Sequence, residues 1–136
     1  MHLTLSAPAK VNLYLEVLGR RPDGFHALET IFQTLDLADE VSVTVSAGSG
    51  VALQCTAPGV PADATNLAWR AAAAYLAERP LGHVDLTLIK RIPHGAGLGG
   101  GSSDAAAVLR ALAQLDAQPL PAARLQTIAA ELGPDV

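Results

Sequence analysis

A single cysteine, Cys55, stands in 136 residues, so no disulfide can form within the chain and its fold has to rest on a hydrophobic core. That usage fits a reducing compartment, and the cytoplasm is the expected location. Cys55 itself reads as a small buried hydrophobe in a strand. Aromatic residues are equally scarce, 4% of a chain that is 50% apolar. The core is therefore expected from aliphatic side chains and closely packed, alanine-rich helices. Positive charge is short as well: 9 Lys and Arg face 13 Asp and Glu, a net charge of -4. This excludes a broad basic surface of the kind that holds a nucleic-acid backbone and leaves room only for a local basic pocket. No apolar run approaches the ~18 residues of a membrane span, and residues 1–10 lack the basic start and long apolar stretch of a signal peptide. The expectation is one soluble domain, long enough to bury its own core, with no nucleic-acid or membrane partner.

Alternation marks the strands. Val11, Leu13, Leu15 and Val17 share one face and Lys10, Asn12, Tyr14 and Glu16 the other, which reads as a half-buried strand followed by a turn at residues 20–24. Residues 28–36 fit helix and strand equally. Val41, Val43 and Val45 alternate with Ser42, Thr44 and Ser46, and Val51, Leu53 and Cys55 repeat the pattern after Gly48 and Gly50, which predicts a β-meander. After a loop over 57–64, Thr65 or Asn66 caps a predicted helix with Trp69, Ala72, Ala73 and Leu76 on one face, ended by Pro80 and Gly82. A strand over 84–92 places Val84, Leu86 and Leu88 on one side. Lys90 comes last on that side, its charge expected to point out of the strand's end. Two helices follow, marked by Ala105, Val108, Leu109 and Leu112 and by Leu125, Ile128, Ala129 and Leu132. Strands, a helix, a strand and two helices predict an α+β two-layer sandwich, a mixed β-sheet packed by helices.

Between the strand at 84–92 and the helix after it lies a glycine-rich run: Pro93, His94, Gly95, Ala96, Gly97, Leu98, Gly99, Gly100, Gly101, Ser102 and Ser103. Glycines let backbone N–H groups crowd around an anion, and a following helix N-terminus adds the positive end of its dipole. The two serines can cap that helix or offer hydroxyls to phosphate or metal. No G-K-[ST] closes the loop, which excludes a Walker A site. The glycines at 95, 97 and 100 match G-x-G-x-x-G, but a Rossmann unit needs a second strand ending in an acid about 20 positions on, and Asp116 lies between two helical patterns.

Pro93 through Gly97-Leu98 to Ser102-Ser103 and Ala105-Ala106 resembles the GHMP kinase loop, P-x-x-x-G-L-x-S-S-A-A, with extra glycines and Asp104 as in its diphosphocytidyl-methylerythritol kinase branch. Pro8-Ala9-Lys10-Val11-Asn12-Leu13 resembles that branch's P-A-K-[VLI]-N-L motif, with Lys10 and Asn12 on one face of a strand, roughly 6–7 Å apart. Arg21 to His26 resembles its R-x-D-G-[YF]-H segment, which holds a cytosine; Phe25 can stack on a base and His26 can pair with its polar edge. Thr65-Asn66-Leu67 resembles the adenine-side segment, where Asn66 serves equally well as a plain helix cap, and Lys90 to Pro93 the approach to the loop. Leu132-Gly133-Pro134-Asp135-Val136 resembles L-G-A-D-V-P, with Pro134 in place of Ala.

The resemblance implies an N-terminal GHMP kinase domain over residues 1–136, of the ribosomal-protein-like fold, with a C-terminal domain expected beyond it. It implies ATP-dependent phosphorylation, with Mg2+, of the 2-hydroxyl of 4-diphosphocytidyl-2-C-methyl-D-erythritol in non-mevalonate isoprenoid synthesis, and no activity of residues 1–136 alone. Asp135 would be the base and Lys10 its charge partner. Residues 93–103 with Asn66, Leu67 and Lys90 would hold ATP, and Asn12, Phe25 and His26 the cytidine substrate; no metal ligand is assigned. Another GHMP kinase, acting on mevalonate, homoserine or galactose, shares the loop but not the cytosine segment. A non-catalytic nucleotide-binding module is the remaining alternative.

Overall fold

A computed structural model describes residues 1–9, 37–92, 100–133 and 136. The strand expected over 10–17, the turn at 20–24 and the undecided stretch 28–36 lie outside the described residues. The elements run β1 (His2–Pro8), β2 (Ala38–Ser46), β3 (Val51–Cys55), α1 (Leu67–Glu78), β4 (His83–Ile89), α2 (Gly100–Leu115) and α3 (Ala122–Leu132). This is the expected α+β arrangement, a mixed sheet with helices packed on it.

The described strands form one sheet in the order β1-β2-β4-β3. β1 and β4 pair antiparallel with β2, and β3 runs parallel to β4. Register lines up apolar rows across all four strands. Leu5, Val41, Leu88 and Cys55 make one row, and Leu3, Val43, Leu86 and Leu53 the next. Against these rows pack Ala105, Val108, Leu109 and Leu112 of α2 and the alanines of α1, so the core is aliphatic as the composition requires. Cys55 is half-buried rather than fully buried, because β3 is the outer strand on that side.

The expected meander does not form. β2 and β3 follow each other in sequence, yet β4 lies between them, brought back beside β3 by the crossover through α1. Alternation says that a segment is a strand with one buried face; it carries nothing about which strand sits beside it. The return into β4 needs Gly82, whose φ is 146°, and a Cβ there would collide with the carbonyl oxygen of Ser46.

In α1 the buried residues are Ala68, Ala71, Ala72 and Tyr75, whereas the expected face was Trp69, Ala72, Ala73 and Leu76. Alanines at 71–74 give neighbouring faces the same small profile, and α1 lies between α2 and α3, so its flanks are also partly covered. Trp69 accordingly lies at the margin, its Nε1 donating to the Val51 carbonyl at 3.3 Å. Tyr75 reaches the far end of α2, where its hydroxyl donates to Asp116 Oδ2 at 2.8 Å, and Arg79 binds both oxygens of the same carboxylate. α1 and α2 therefore run parallel, with their C-terminal ends tied together. The final helix, α3, buries Ile128, with Leu125, Ala129 and Leu132 partly covered, as its spacing predicts.

Candidate functional site

Parallel helices put two N-termini at one edge of the sheet. Leu67, first in α1, lies with its Cδ1 3.8 Å from where a Cβ on Gly101 would be, in the first turn of α2. Both positive dipole ends thus meet beyond the C-terminal ends of the parallel pair β3 and β4, the edge at which the glycine run joins β4 to α2.

α1 is capped by Asn66, whose Oδ1 accepts the Ala68 N–H at 2.8 Å while its Nδ2 donates to the Pro61 carbonyl at 2.8 Å. The cap role open in the sequence is therefore taken. α2 begins at Gly100, so Ser102 and Ser103 lie inside its first turn rather than before it. The N–H groups of residues 100–102, in the first turn, have no partner within the helix. Ser102 is half-buried, Ser103 is 4% exposed and Gly101 is open to solvent. At Gly100 a Cβ would come within 3.0 Å of Ile92 Cγ2 and 3.4 Å of Lys90 Nζ, so the helix starts hard against the end of β4.

Lys90 does not point out of the strand's end. Its Nζ turns inward, 2.5 Å from Asp39 Oδ2 and 2.6 Å from Asp104 Oδ2, and its side chain is 6% exposed. The register explains the meeting. Val41 pairs with Leu88 on the core face of β2 and β4, and two residues further along the same face stand Asp39 and Lys90. A lysine there has either to stay in water or to find carboxylates, and α2 supplies the second one. Asp39 Oδ1 also accepts the backbone N–H groups of Arg91 at 2.7 Å and Ile92 at 2.9 Å.

These contacts divide the charge. Burial acts to raise the Asp39 carboxyl, but hydrogen bonds from Asp104, Ile92, Lys90 and Arg91 outweigh it and hold Asp39 below its ordinary value. Asp104 has fewer donors; burial and then the adjoining Asp39 raise it to about 7, against the pull of Lys90. Burial acts to lower Lys90, and its bonds to the two carboxylates override this and keep it protonated. The second oxygen of Asp104, Oδ1, is buried with no hydrogen-bond partner among the described residues.

Of the residues singled out in the sequence, the structure brings together Asn66, Leu67, Lys90, Gly100, Gly101, Ser102 and Ser103 at this edge. Lys10, Asn12, Phe25, His26, residues 93–99 and Asp135 lie outside the described residues. Sequence reasoning missed Asp39 and the role of Asp104. For Asp39 a signal was present: it shares parity with Val41, Val43 and Val45, and a carboxylate on a core-facing position requires a partner. Among the described residues no group of three His, Cys, Asp or Glu is arranged to hold a metal ion. No helix among the described residues is long and apolar enough to cross a membrane.

Residues 66–136 match the family described as GHMP kinases N terminal domain. Over 98% of its length the chain is 50% identical to a 4-diphosphocytidyl-2-C-methyl-D-erythritol kinase of Geobacter sulfurreducens, covering 48% of that protein. A crystal structure of 4-(cytidine 5'-diphospho)-2C-methyl-D-erythritol kinase superposes with a TM-score of 0.71 at 40% identity, over 98% of this chain and 47% of that one. A homoserine kinase from Cytophaga hutchinsonii superposes with the same TM-score, 0.71, at 22% identity over 96% of this chain and 40% of its own, a likeness of fold. The chain thus spans about half the length of the relatives it matches.

Proposed function

The chain belongs to the GHMP kinases, and on that premise we propose that the full-length protein transfers the γ-phosphoryl group of ATP to the 2-hydroxyl of 4-diphosphocytidyl-2-C-methyl-D-erythritol, a step of non-mevalonate isoprenoid synthesis. The observation that carries the phosphate half of this reading is the pair of helix N-termini, α1 and α2, meeting where the glycine run enters α2. Identity of 50% to a relative named for that acceptor supports the alcohol half. Residues 1–136 would be the N-terminal, nucleotide-binding domain of a protein of about twice this length.

Phosphoryl transfer asks mainly for positioning and charge stabilisation. The donor set fits a polyphosphate: unpaired N–H groups of residues 100–102 and the amides of residues 93–99 would bind the phosphate oxygens, with Asn66 and Leu67 shaping the nucleotide's other side. The Ser102 and Ser103 hydroxyls suit a hard cation or a phosphate oxygen, and Mg2+ carried on ATP would neutralise charge on the transferring group. Asp135 would accept the hydroxyl proton, and Lys10 would keep Asp135 ionised and offset charge at the reacting oxygen. Phe25 would stack on the cytosine, His26 pair with its edge and Asn12 orient the substrate beside Lys10. The lone cysteine and the acidic balance support a cytoplasmic protein acting on a small molecule.

The test offers the full-length protein ATP, Mg2+ and one alcohol at a time. ADP release is expected with the cytidine diphosphate-linked alcohol and not with homoserine, mevalonate or galactose. Equal turnover of an alcohol without cytidine diphosphate would remove the acceptor assignment.

A further inference from the structure

The glycine segment 93–99 leaves β4 through Arg91 and Ile92 and enters α2 at Gly100, and one buried ion cluster touches both junctions. On the near side, Asp39 Oδ1 accepts the N–H groups of Arg91 and Ile92, the last two residues before the segment. On the far side, Lys90 Nζ bonds Asp104 in α2 while bonding Asp39 in β2, and the same Nζ lies 3.4 Å from the Cβ position of Gly100. The side chains of Lys90, Asp39 and Asp104 are 6%, 0% and 2% exposed. Stability alone is a poor reason for such a cluster, since well-packed apolar residues often serve as well or better than buried ion pairs. What ions add is directional bonding, which holds three elements at fixed distances. The cluster is also incomplete: Asp104 Oδ1 is buried without a donor among the described residues.

We propose that Asp39, Lys90 and Asp104 form a latch that sets the spacing between the two ends of the glycine segment, and that Asp104 is a positioning residue for nucleotide binding. The inference rests on the kinase reading for what the segment binds. It also alters the part assigned to Lys90. With its ammonium committed to two carboxylates, Lys90 acts on the nucleotide through the segment rather than by touching it. Releasing the latch lets the amides at the start of α2 drift from the end of β4, and bound geometry of this kind tolerates a misplacement of only about 1 Å.

Two near-isosteric variants of the full-length protein test this, Asp104→Asn and Asp39→Asn. Each leaves Lys90 with one carboxylate, so no charge is stranded and the fold is expected to persist. Calorimetry with ADP is expected to show binding weakened about tenfold or more in Asp104→Asn, and the KM for ATP to rise with it. The KM for the cytidine substrate should stay within about threefold and thermal melting within a few degrees. A purely structural role would lower the melting temperature and move both KM values together. Wild-type ADP affinity in a folded Asp104→Asn protein, or in folded Asp39→Asn should Asp104→Asn fail to fold, overturns the latch. So does absence of ADP binding by the wild type. ADP binding without turnover of any alcohol sinks the kinase reading while the ADP comparison still decides the latch.

Discussion

Arg79 holds Asp116 with two hydrogen bonds, Nε to Oδ2 at 2.9 Å and Nη2 to Oδ1 at 2.8 Å, and thereby fixes the C-terminal ends of α1 and α2 side by side. The Tyr75 hydroxyl and the Gln118 N–H complete the set of donors around this carboxylate. Because the helices are parallel, this joint at one end determines where the two N-termini meet at the other.

Asp116→Asn in the full-length protein is expected to lower the melting temperature at neutral pH by on the order of 10 °C. The bonds from Arg79 lead in holding the Asp116 carboxyl far below its ordinary value, outweighing burial. A depressed carboxyl contributes stability that is complete above the unfolded value of 3.8 and is lost as pH falls toward the folded value. The gap between wild type and variant should therefore shrink on acidification. Equal melting temperatures at pH 7 would show the joint to be dispensable.

Asp104 gives the opposite sign. Its folded value of about 7 lies above the model-compound value of 3.8, so between these the folded protein keeps a proton that the unfolded chain has released. This group's contribution to stability accordingly falls as pH rises from about 4 to about 7. Denaturant unfolding across that range should show wild type losing stability relative to Asp104→Asn, in which the slope from this group is gone. Parallel curves for the two proteins would mean that Asp104 is ionised throughout.

Asp135→Asn or Lys10→Ala in the full-length protein is expected to reduce kcat by roughly 100-fold or more, the range for loss of a proton acceptor or of a charge stabiliser, with the fold retained. Steady-state kinetics with saturating ATP measure this. A kcat near wild type in either variant would remove that residue from the chemistry.

Phe25→Ala should weaken the cytidine substrate by the worth of one base stack, ~1–3 kcal/mol, and leave ATP nearly untouched, while Phe25→Tyr is mild. The KM for each substrate separates the effects. Equal losses for both would make Phe25 a support of the fold.

Much of the fold was legible because its signals are local. Val84, Leu86 and Leu88 alternate and form β4; Ala105, Val108, Leu109 and Leu112 recur at helical spacing and bury one side of α2. Asn66 was readable as a cap because its amide competes for backbone donors ahead of an apolar run. What was not legible depended on neighbours. Strand order is set by the α1 crossover, which no alternation records. The inner face of α1 slipped by one residue where four alanines left it without contrast. Lys90 seemed to end in solvent because its partners, Asp39 and Asp104, are 51 and 14 positions away and meet it only once β2, β4 and α2 are packed.

Phosphorus NMR of the product formed by the full-length protein from ATP and 4-diphosphocytidyl-2-C-methyl-D-erythritol tests the central claim most directly. The carbon bearing the 2-hydroxyl also bears the methyl group and has no hydrogen. A new phosphomonoester there shows no three-bond coupling to hydrogen and appears as a singlet in the proton-coupled spectrum, beside the diphosphate signals and those of ADP. That singlet is the predicted result. A doublet or triplet would place the phosphoryl group on another hydroxyl, and an unchanged spectrum with intact ATP would contradict the kinase assignment itself.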